Sequence, residues 1–487
     1  MTERRRTKII ATLGPATDKP GMLVSLFERG LDVVRVNLSH GTAEHHRQRV
    51  KDARAAAAAC GREVAVLADL RGPKIRIESF DDGPVSLEQG DPFVLYSRPD
   101  APVGTHEGVG VTYHQLVNDV KAGDTLLLDD GLIAMMVEDI RGSDIHCRVT
   151  VAGVLHNRKG LNLQGGGLSV PGLAEHDIPD ITLAAEMDVD YLAVSFPSSA
   201  DDMHNARRLL REAGGHAALV SKIERAEAID HLEAIIDASD AVLVARGDLG
   251  VEIGDAQLPG LQKRIIETST RLNRVVITAT QMMQSMVDSP IPTRAEVLDV
   301  ANAVIDGSDA VMLSAETAVG RHPHKVVEAM NRICLGAERH CFDQNIENQL
   351  NVRFERIDQA IAMATMYTAN RVAVDAIVAM TESGSTAQWL SRVRSHVPIF
   401  ALTPNTNSRR RMALYRDVYP VAFECHESNG DIAVMQALKH LLQLEFIQPG
   451  QRVLMTMGDK MRVEGGTNTM RLVQISETGE FETQMAL

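Results

Sequence analysis

Cysteine is scarce: five in 487 residues (Cys60, Cys147, Cys334, Cys341 and Cys425), with no C-x-x-C pair among them. That spacing argues against a zinc or disulfide role and fits single buried thiols in a reducing compartment. Long apolar runs are missing too. No uncharged stretch reaches the roughly 18 residues that a bilayer-crossing helix needs. The N-terminus, Met1-Thr2-Glu3-Arg4-Arg5-Arg6, lacks the apolar segment and cleavage site of a signal peptide. A cytoplasmic protein with no membrane partner is expected. Positive charge is in deficit as well: 50 Lys and Arg against 65 Asp and Glu give a formal net charge of -15. Such a chain is not built to hold a nucleic-acid backbone. Any anion it binds must be met by a local pocket.

What is abundant is apolar sequence, 44% of the chain, enough for about two to four domains. Eight short β-branched or apolar runs (7–13, 33–38, 64–69, 191–196, 218–223, 241–245, 275–280 and 310–314) alternate with segments of helical periodicity such as 42–60 and 256–272. Eight βα repeats predict a (β/α)₈ barrel. Between the third and fourth runs, 72–170 is rich in Gly, Asp and Val with turn signals at β spacing, which reads as an inserted β-barrel lid. Residues 344–487 resume with a helix over 357–372 and strands near Ile377, Ile399, Val421 and Val453, giving a C-terminal α/β domain. The barrel is thereby split into 1–71 and 171–343.

Active sites of such barrels lie where the strands end. The second run ends in Arg35, Asn37, Ser39 and His40, the third in Asp69, and the fifth in Lys222 and Glu224. Arg246-Gly247-Asp248, Thr280-Gln281 and Ser314-Ala315-Glu316 follow the last three. Glu224 and Asp248 offer hard carboxylate oxygens with no His or Cys nearby, a donor set for Mg²⁺ or Mn²⁺; each could instead cap the helix that follows it. Lys222 emerges from an apolar run. There it stabilises charge developing on an oxygen, forms a Schiff base, or simply pairs with Glu224; the neighbouring carboxylates favour the first role. Arg35 suits bidentate binding of phosphate or carboxylate. Together these groups imply a metal-dependent enzyme acting on a small phosphorylated carboxylic acid.

Five stretches, 7–17 (TKIIATLGPAT), 35–41 (RVNLSHG), 221–224 (SKIE), 245–250 (ARGDLG) and 279–282 (ATQM), appear in an order that resembles the pyruvate kinase family, and the likeness runs over essentially the whole chain. The resemblance implies transfer of a phosphoryl group from phosphoenolpyruvate to ADP, giving pyruvate and ATP. It casts Lys222, Thr280 and Arg35 as catalytic groups, with Arg35, Gly247, Asp248 and Thr280 on phosphoenolpyruvate and Glu224 and Asp248 on the metal. Asn37, Ser39, His40, Arg76 and Lys159 would face the nucleotide phosphates, and the insert would close as a lid. Many family members bind potassium beside Asn37, Ser39 and Asp69. Here Leu70 and Lys74 match the members that do without it, in which the lysine ammonium stands in the pocket of Asn37, Ser39, Asp69 and Leu70 in place of the ion, so potassium is not expected to be required.

The residues alone also admit a mutase or lyase that handles an enolate without ADP and, outside the enzymes, a silent nucleotide sensor. In the C-terminal domain, Thr381-Glu382-Ser383-Gly384-Ser385-Thr386 between a strand and a helix offers hydroxyls and backbone N–H groups, a phosphate nest or an ordinary Ser/Thr cap. By resemblance it is the effector site, with loop 464–468 close by, for an allosteric sugar phosphate or AMP. A homotetramer is implied by the same route.

Overall fold

The computed structural model describes residues 4–339, 354–426, 429–458, 465–477 and 481–483. The boundary expected between 343 and 344, Cys341 and Glu464 lie outside the described residues. Eight parallel strands close a barrel in chain order: Lys8–Thr12, Val33–Asn37, Ala65–Asp69, Tyr191–Val194, Ala218–Ile223, Ala241–Ala245, Val275–Ala279 and Ala310–Leu313. Six of the eight are buried at every residue. This is why they read as unbroken apolar runs: helices cover one face and the barrel interior the other. The outer layer packs residues such as Val34, Val66 and Leu192 under the helices, while Ile10, Leu67, Leu243 and Ile277 fill the inside. Each fully buried side chain of that size contributes about 1.5–3 kcal/mol.

Local chemistry sets the helix ends. Thr42 caps the helix Ala43–Ala59, its Oγ1 accepting the His45 N–H at 3.4 Å. Thr293 and Glu296 close a capping box at the start of Arg294–Asp306, which stops at Gly307 with φ of 111°.

Between the third and fourth strands the chain leaves to form a six-stranded sheet and a two-stranded ribbon around their own core of Ile77, Phe93, Leu126 and Ile145. That unit is tied back beside the strand ends: Arg225 donates to the Leu168 and Val170 carbonyls, and Asn162 to Glu252 at 3.2 Å. The C-terminal domain is a six-stranded sheet, four strands parallel (Val418–Ala422, Ile399–Thr403, Ala376–Met380, Arg452–Met457) and two antiparallel (Thr469–Ile475, Phe481–Thr483). It docks on the opposite end of the barrel. Lys8 donates to the Val418 carbonyl at 2.7 Å, Tyr191 to the Arg411 carbonyl at 2.7 Å, and Arg392 forks onto buried Asp309. Among the described residues no helix is long and apolar enough to cross a membrane.

Candidate active site

Strand register gathers the first group. Thr12 stands beside Arg35 and Asn37 beside Asp69. Arg35 Nε donates to Asp69 Oδ2 at 2.7 Å, Nη2 lies 2.7 Å from the same carboxylate, and Nη1 donates to Thr12 Oγ1 at 2.9 Å. These contacts fix the guanidinium plane. Asn37 Oδ1 accepts the Ser39 N–H at 3.1 Å, a turn that leaves Ser39 and His40 exposed.

Lys222 is the centre of the second group. Its ammonium donates to Ser195 Oγ at 2.7 Å and lies 2.9 Å from Glu224 Oε1 and 3.3 Å from Asp69 Oδ1. Burial alone would make the ammonium easier to deprotonate, but the charges of Asp69 and Glu224 outweigh it and the pKa is raised. The two carboxylates thus favour the ammonium form of Lys222, which speaks for charge stabilisation over the Schiff-base alternative. Asp69 is the reciprocal case: burial would raise it, yet Lys222 and Arg35 hold it below the ordinary carboxylate value. Glu224 goes the other way. Burial pushes it up to about 7, Lys222 opposes the rise, and the neighbouring charges of Asp248 and Asp69 add to it.

That repulsion places Glu224 and Asp248 in one electrostatic environment. Asp248, in the first turn of the helix Arg246–Ile253, accepts from Lys74 Nζ at 2.7 Å. The Lys74 ammonium also lies 3.6 Å from Asp130, and the charges of Asp248, Asp130 and Glu224 raise its pKa against burial. The sequence expectation set this ammonium beside Asn37, Ser39 and Asp69. Here its ion-pair partners are Asp248 and Asp130, and Asp69 is matched instead by Arg35 and Lys222. Two carboxylates whose charges act on each other, each paired with an ammonium, are a fitting donor set for a hard divalent ion whose other ligands are substrate oxygens. Among the described residues no group of three or more His, Cys, Asp or Glu side chains forms a self-sufficient metal cage.

Gly247 and Thr280 meet at the next strand ends. Thr280 and Gln281 take left-handed backbone angles, φ of 72° and 55°, rare for non-glycine residues and costly for a β-branched one. Arg246 holds the bend: its Nη2 donates to the Thr280 carbonyl at 2.8 Å while the guanidinium pairs with Asp299 at 2.7 Å. A Cβ on Gly247 would sit 2.8 Å from Thr280 Cγ2, so glycine there is a requirement of close approach.

Ser39, Lys74 and Arg76 line one cleft of about 620 Å³ between the insert and the barrel. Lys159 turns instead to Asp129, at 2.8 Å. Thr381, Ser383, Ser385 and Thr386 line a separate cavity in the C-terminal domain with Gly465, Gly466 and Thr467; Gly384, with φ of 88°, is buried. Thr381 Oγ1 accepts the Gly384 N–H at 3.0 Å, and Thr386 shares a 2.7 Å hydrogen bond with Thr467.

A family model described as the barrel domain of pyruvate kinase matches residues 4–327, and one for its alpha/beta domain matches 359–473. The chain belongs to the pyruvate kinase family. It is 49% identical to pyruvate kinase II of Salmonella typhimurium over 97% of this chain and 99% of that protein. The pyruvate kinase of Haemophilus influenzae is 47% identical over 96% of this chain and 97% of its own length, and that of Corynebacterium glutamicum 40% identical over the same shares. Membership makes the chain a phosphotransferase and accounts for the concentration of charge at the strand ends.

Two contributors escaped the sequence reading. Ser195 bridges Lys222 to the Leu70 carbonyl, and the Phe196 N–H donates to Glu224 Oε2 at 2.9 Å. Both directly follow the fourth strand, to which no chemistry was assigned; a hydroxyl directly after four apolar residues was the available signal. Arg246 was noted at its strand end without a role.

Proposed function

We propose that the strand ends of this barrel transfer the phosphoryl group of phosphoenolpyruvate to ADP, giving pyruvate and ATP. The observation that carries the reading is Lys222, buried between Asp69 and Glu224, with Glu224 coupled in turn to Asp248. Glu224 and Asp248 would hold a divalent ion, Mg²⁺ or Mn²⁺, which when bound neutralises charge on the transferred group. Arg35, its plane fixed by Asp69 and Thr12, offers its remaining N–H donors to the phosphate. Lys222 faces the oxygens on which charge grows as the phosphoryl group moves, and its locked protonation suits stabilisation without proton transfer. Thr280, held in its bend by Arg246, is placed to relay a proton to the enolate through a water. Ser39, Lys74 and Arg76 sit in the cleft where nucleotide phosphates would enter, with Asn37 and His40 close to Ser39 in sequence and Lys159 next to Gly160, which pairs with Arg76. Closure of the 72–170 insert would exclude water.

Potassium is not required on this reading. Asp69 already faces two fixed cations, the buried Leu70 side chain offers no oxygen, and Lys74 adds a third positive charge to the site. The cavity around Ser383 would take an allosteric phosphorylated effector, a sugar phosphate or AMP; Ser383→Asp should abolish the thermal shift such a ligand gives. The working unit is proposed to be a cytoplasmic homotetramer. A coupled assay separates the rivals: pyruvate should form from phosphoenolpyruvate only when ADP and a divalent ion are both present. A mutase or lyase would consume phosphoenolpyruvate without ADP and release no pyruvate, and a sensor would leave it unconsumed.

A further inference from the structure

We propose a second anion-binding site at the junction of the barrel and the C-terminal domain, suited to a small phosphomonoester. A cavity of about 210 Å³ opens there, on the side of the barrel away from the strand ends that carry the chemistry. Four guanidinium groups line it. Arg207 and Arg211 lie one turn apart on the helix Ala200–Glu212, Arg274 follows the helix Leu258–Arg271, and Arg411 comes from the C-terminal domain on Thr406–Met412.

Two of the four carry their own counter-ions: Arg207 pairs with Asp240 at 3.0 Å and Arg274 with Asp237 at 3.2 Å. The other two do not. Arg211 contacts the ring nitrogen Nδ1 of His216 at 2.7 Å, and Arg411 donates to the His216 carbonyl; among the described residues neither has a carboxylate within 4.0 Å. Among those residues Asp240 is also the one carboxylate lining the space, against four cations. In a chain of net charge -15 this is a local reversal of sign, which marks a place where an anion is met by a pocket and not by the general field. The Arg411 helix is pinned by the Tyr191 hydroxyl, which donates to the Arg411 carbonyl at 2.7 Å, so the fork is presented from a fixed backbone.

The cavity has room for a three-carbon phosphomonoester. Ser383 and Ser385 line this cavity as well as the one on the other side of their loop. An occupant here therefore restricts the loop that walls the proposed effector cavity; that consequence rests on the effector reading, whereas the site itself does not.

Calorimetric titration of the full chain with glycerol 3-phosphate tests the site in the parent, in Arg211→Ala/Arg411→Ala, and in Gly466→Glu, which faces only the first cavity. Thermal unfolding and basal turnover check that each variant is folded and catalytically unchanged. The expected result is that the double Arg variant loses one equivalent of binding, or weakens it at least tenfold, while Gly466→Glu retains that equivalent. A double variant that titrates like the parent overturns the site, and so does a parent whose only saturable binding disappears in Gly466→Glu. Loss of effector binding in Gly466→Glu alone bears on the other cavity and leaves this one standing.

Discussion

The contact between Gly247 and Thr280 allows a sharp test, because a single methyl group decides it. Alanine at 247 would place its Cβ 2.8 Å from Thr280 Cγ2, whereas Thr280 Cβ and Oγ1 stand at 3.7 and 4.0 Å, ordinary contact distances. In a helix, alanine in place of glycine normally stabilises by up to about 1 kcal/mol. Here the overlap must instead be relieved by moving Thr280, whose bend Arg246 already holds, and overpacking of this kind costs about 1–3 kcal/mol. Displacing a reacting group by a fraction of an ångström also costs on the order of 10²-fold in turnover. Thr280→Ser removes Cγ2 and keeps the hydroxyl. In that background Gly247→Ala should be neutral or mildly stabilising, so the double-mutant cycle should show a coupling of about 1–4 kcal/mol in stability and recover most of the lost rate. Denaturant unfolding and the coupled pyruvate assay on the four proteins measure both. If Gly247→Ala costs the same in the Thr280→Ser background, the close approach does not govern this position and the reasoning fails.

Lys222→Met should lower turnover by about 10²–10³-fold while the barrel still folds, and near-normal turnover would remove Lys222 from the mechanism. Activity should persist in buffer free of sodium and potassium; a loss of more than about a hundredfold would refute the role given to the site's own cations. His46 supplies a pH test. It is buried with neither ring nitrogen partnered among the described residues, and burial, aided by Arg49 and His45, lowers its pKa from 6.5 to about 4. The unfolded chain takes up a proton at pH 6.5 that the folded chain refuses until about pH 4, so stability falls with pH across that window and rises again as pH is raised through it. Between pH 7 and 4.5 the parent should lose about 2 kcal/mol more than His46→Leu; parallel stability profiles would show that His46 titrates alike in the folded and unfolded chain.

The barrel was legible because its strands are buried on both faces and therefore stand out as apolar runs: seven of the eight begin and end within one residue of the run read from sequence, and the fourth ends at Val194, two residues early. The helix read over 42–60 is Ala43–Ala59, with Thr42 and Cys60 as its caps. Lys222, Glu224 and Asp248 were legible for a related reason, since a charge at the end of an apolar strand is costly unless an opposite charge or a ligand meets it there. What stayed hidden depended on side-chain reach. The Lys74 side chain runs past Gly160 to Asp248, and no spacing along the chain distinguishes that partner from Asp69. Ser195 was hidden because a single hydroxyl after an apolar run is a weak signal until a lysine from the next strand is found on it.

Charge balance explains why so polar a cluster is stable in this barrel mouth. Arg35, Lys222 and Lys74 face Asp69, Glu224 and Asp248, three cations against three carboxylates, so the buried charges of the cluster compensate one another. Asp69 sits at the hinge of the arrangement, since it is shared by Arg35 and Lys222 and is held ionised by both. Glu224, raised to about 7, is less committed to its charge than Asp69. A substrate bearing both phosphate and carboxylate, arriving with a divalent cation, brings charges that largely offset one another. On the proposed function, the two ammonium groups now on Glu224 and Asp248 would then turn to the substrate's oxygens without stranding a carboxylate. The same exchange explains why the site needs as many lysines and arginines as it has acids, in a chain whose overall excess of acid would otherwise repel every phosphate it must bind.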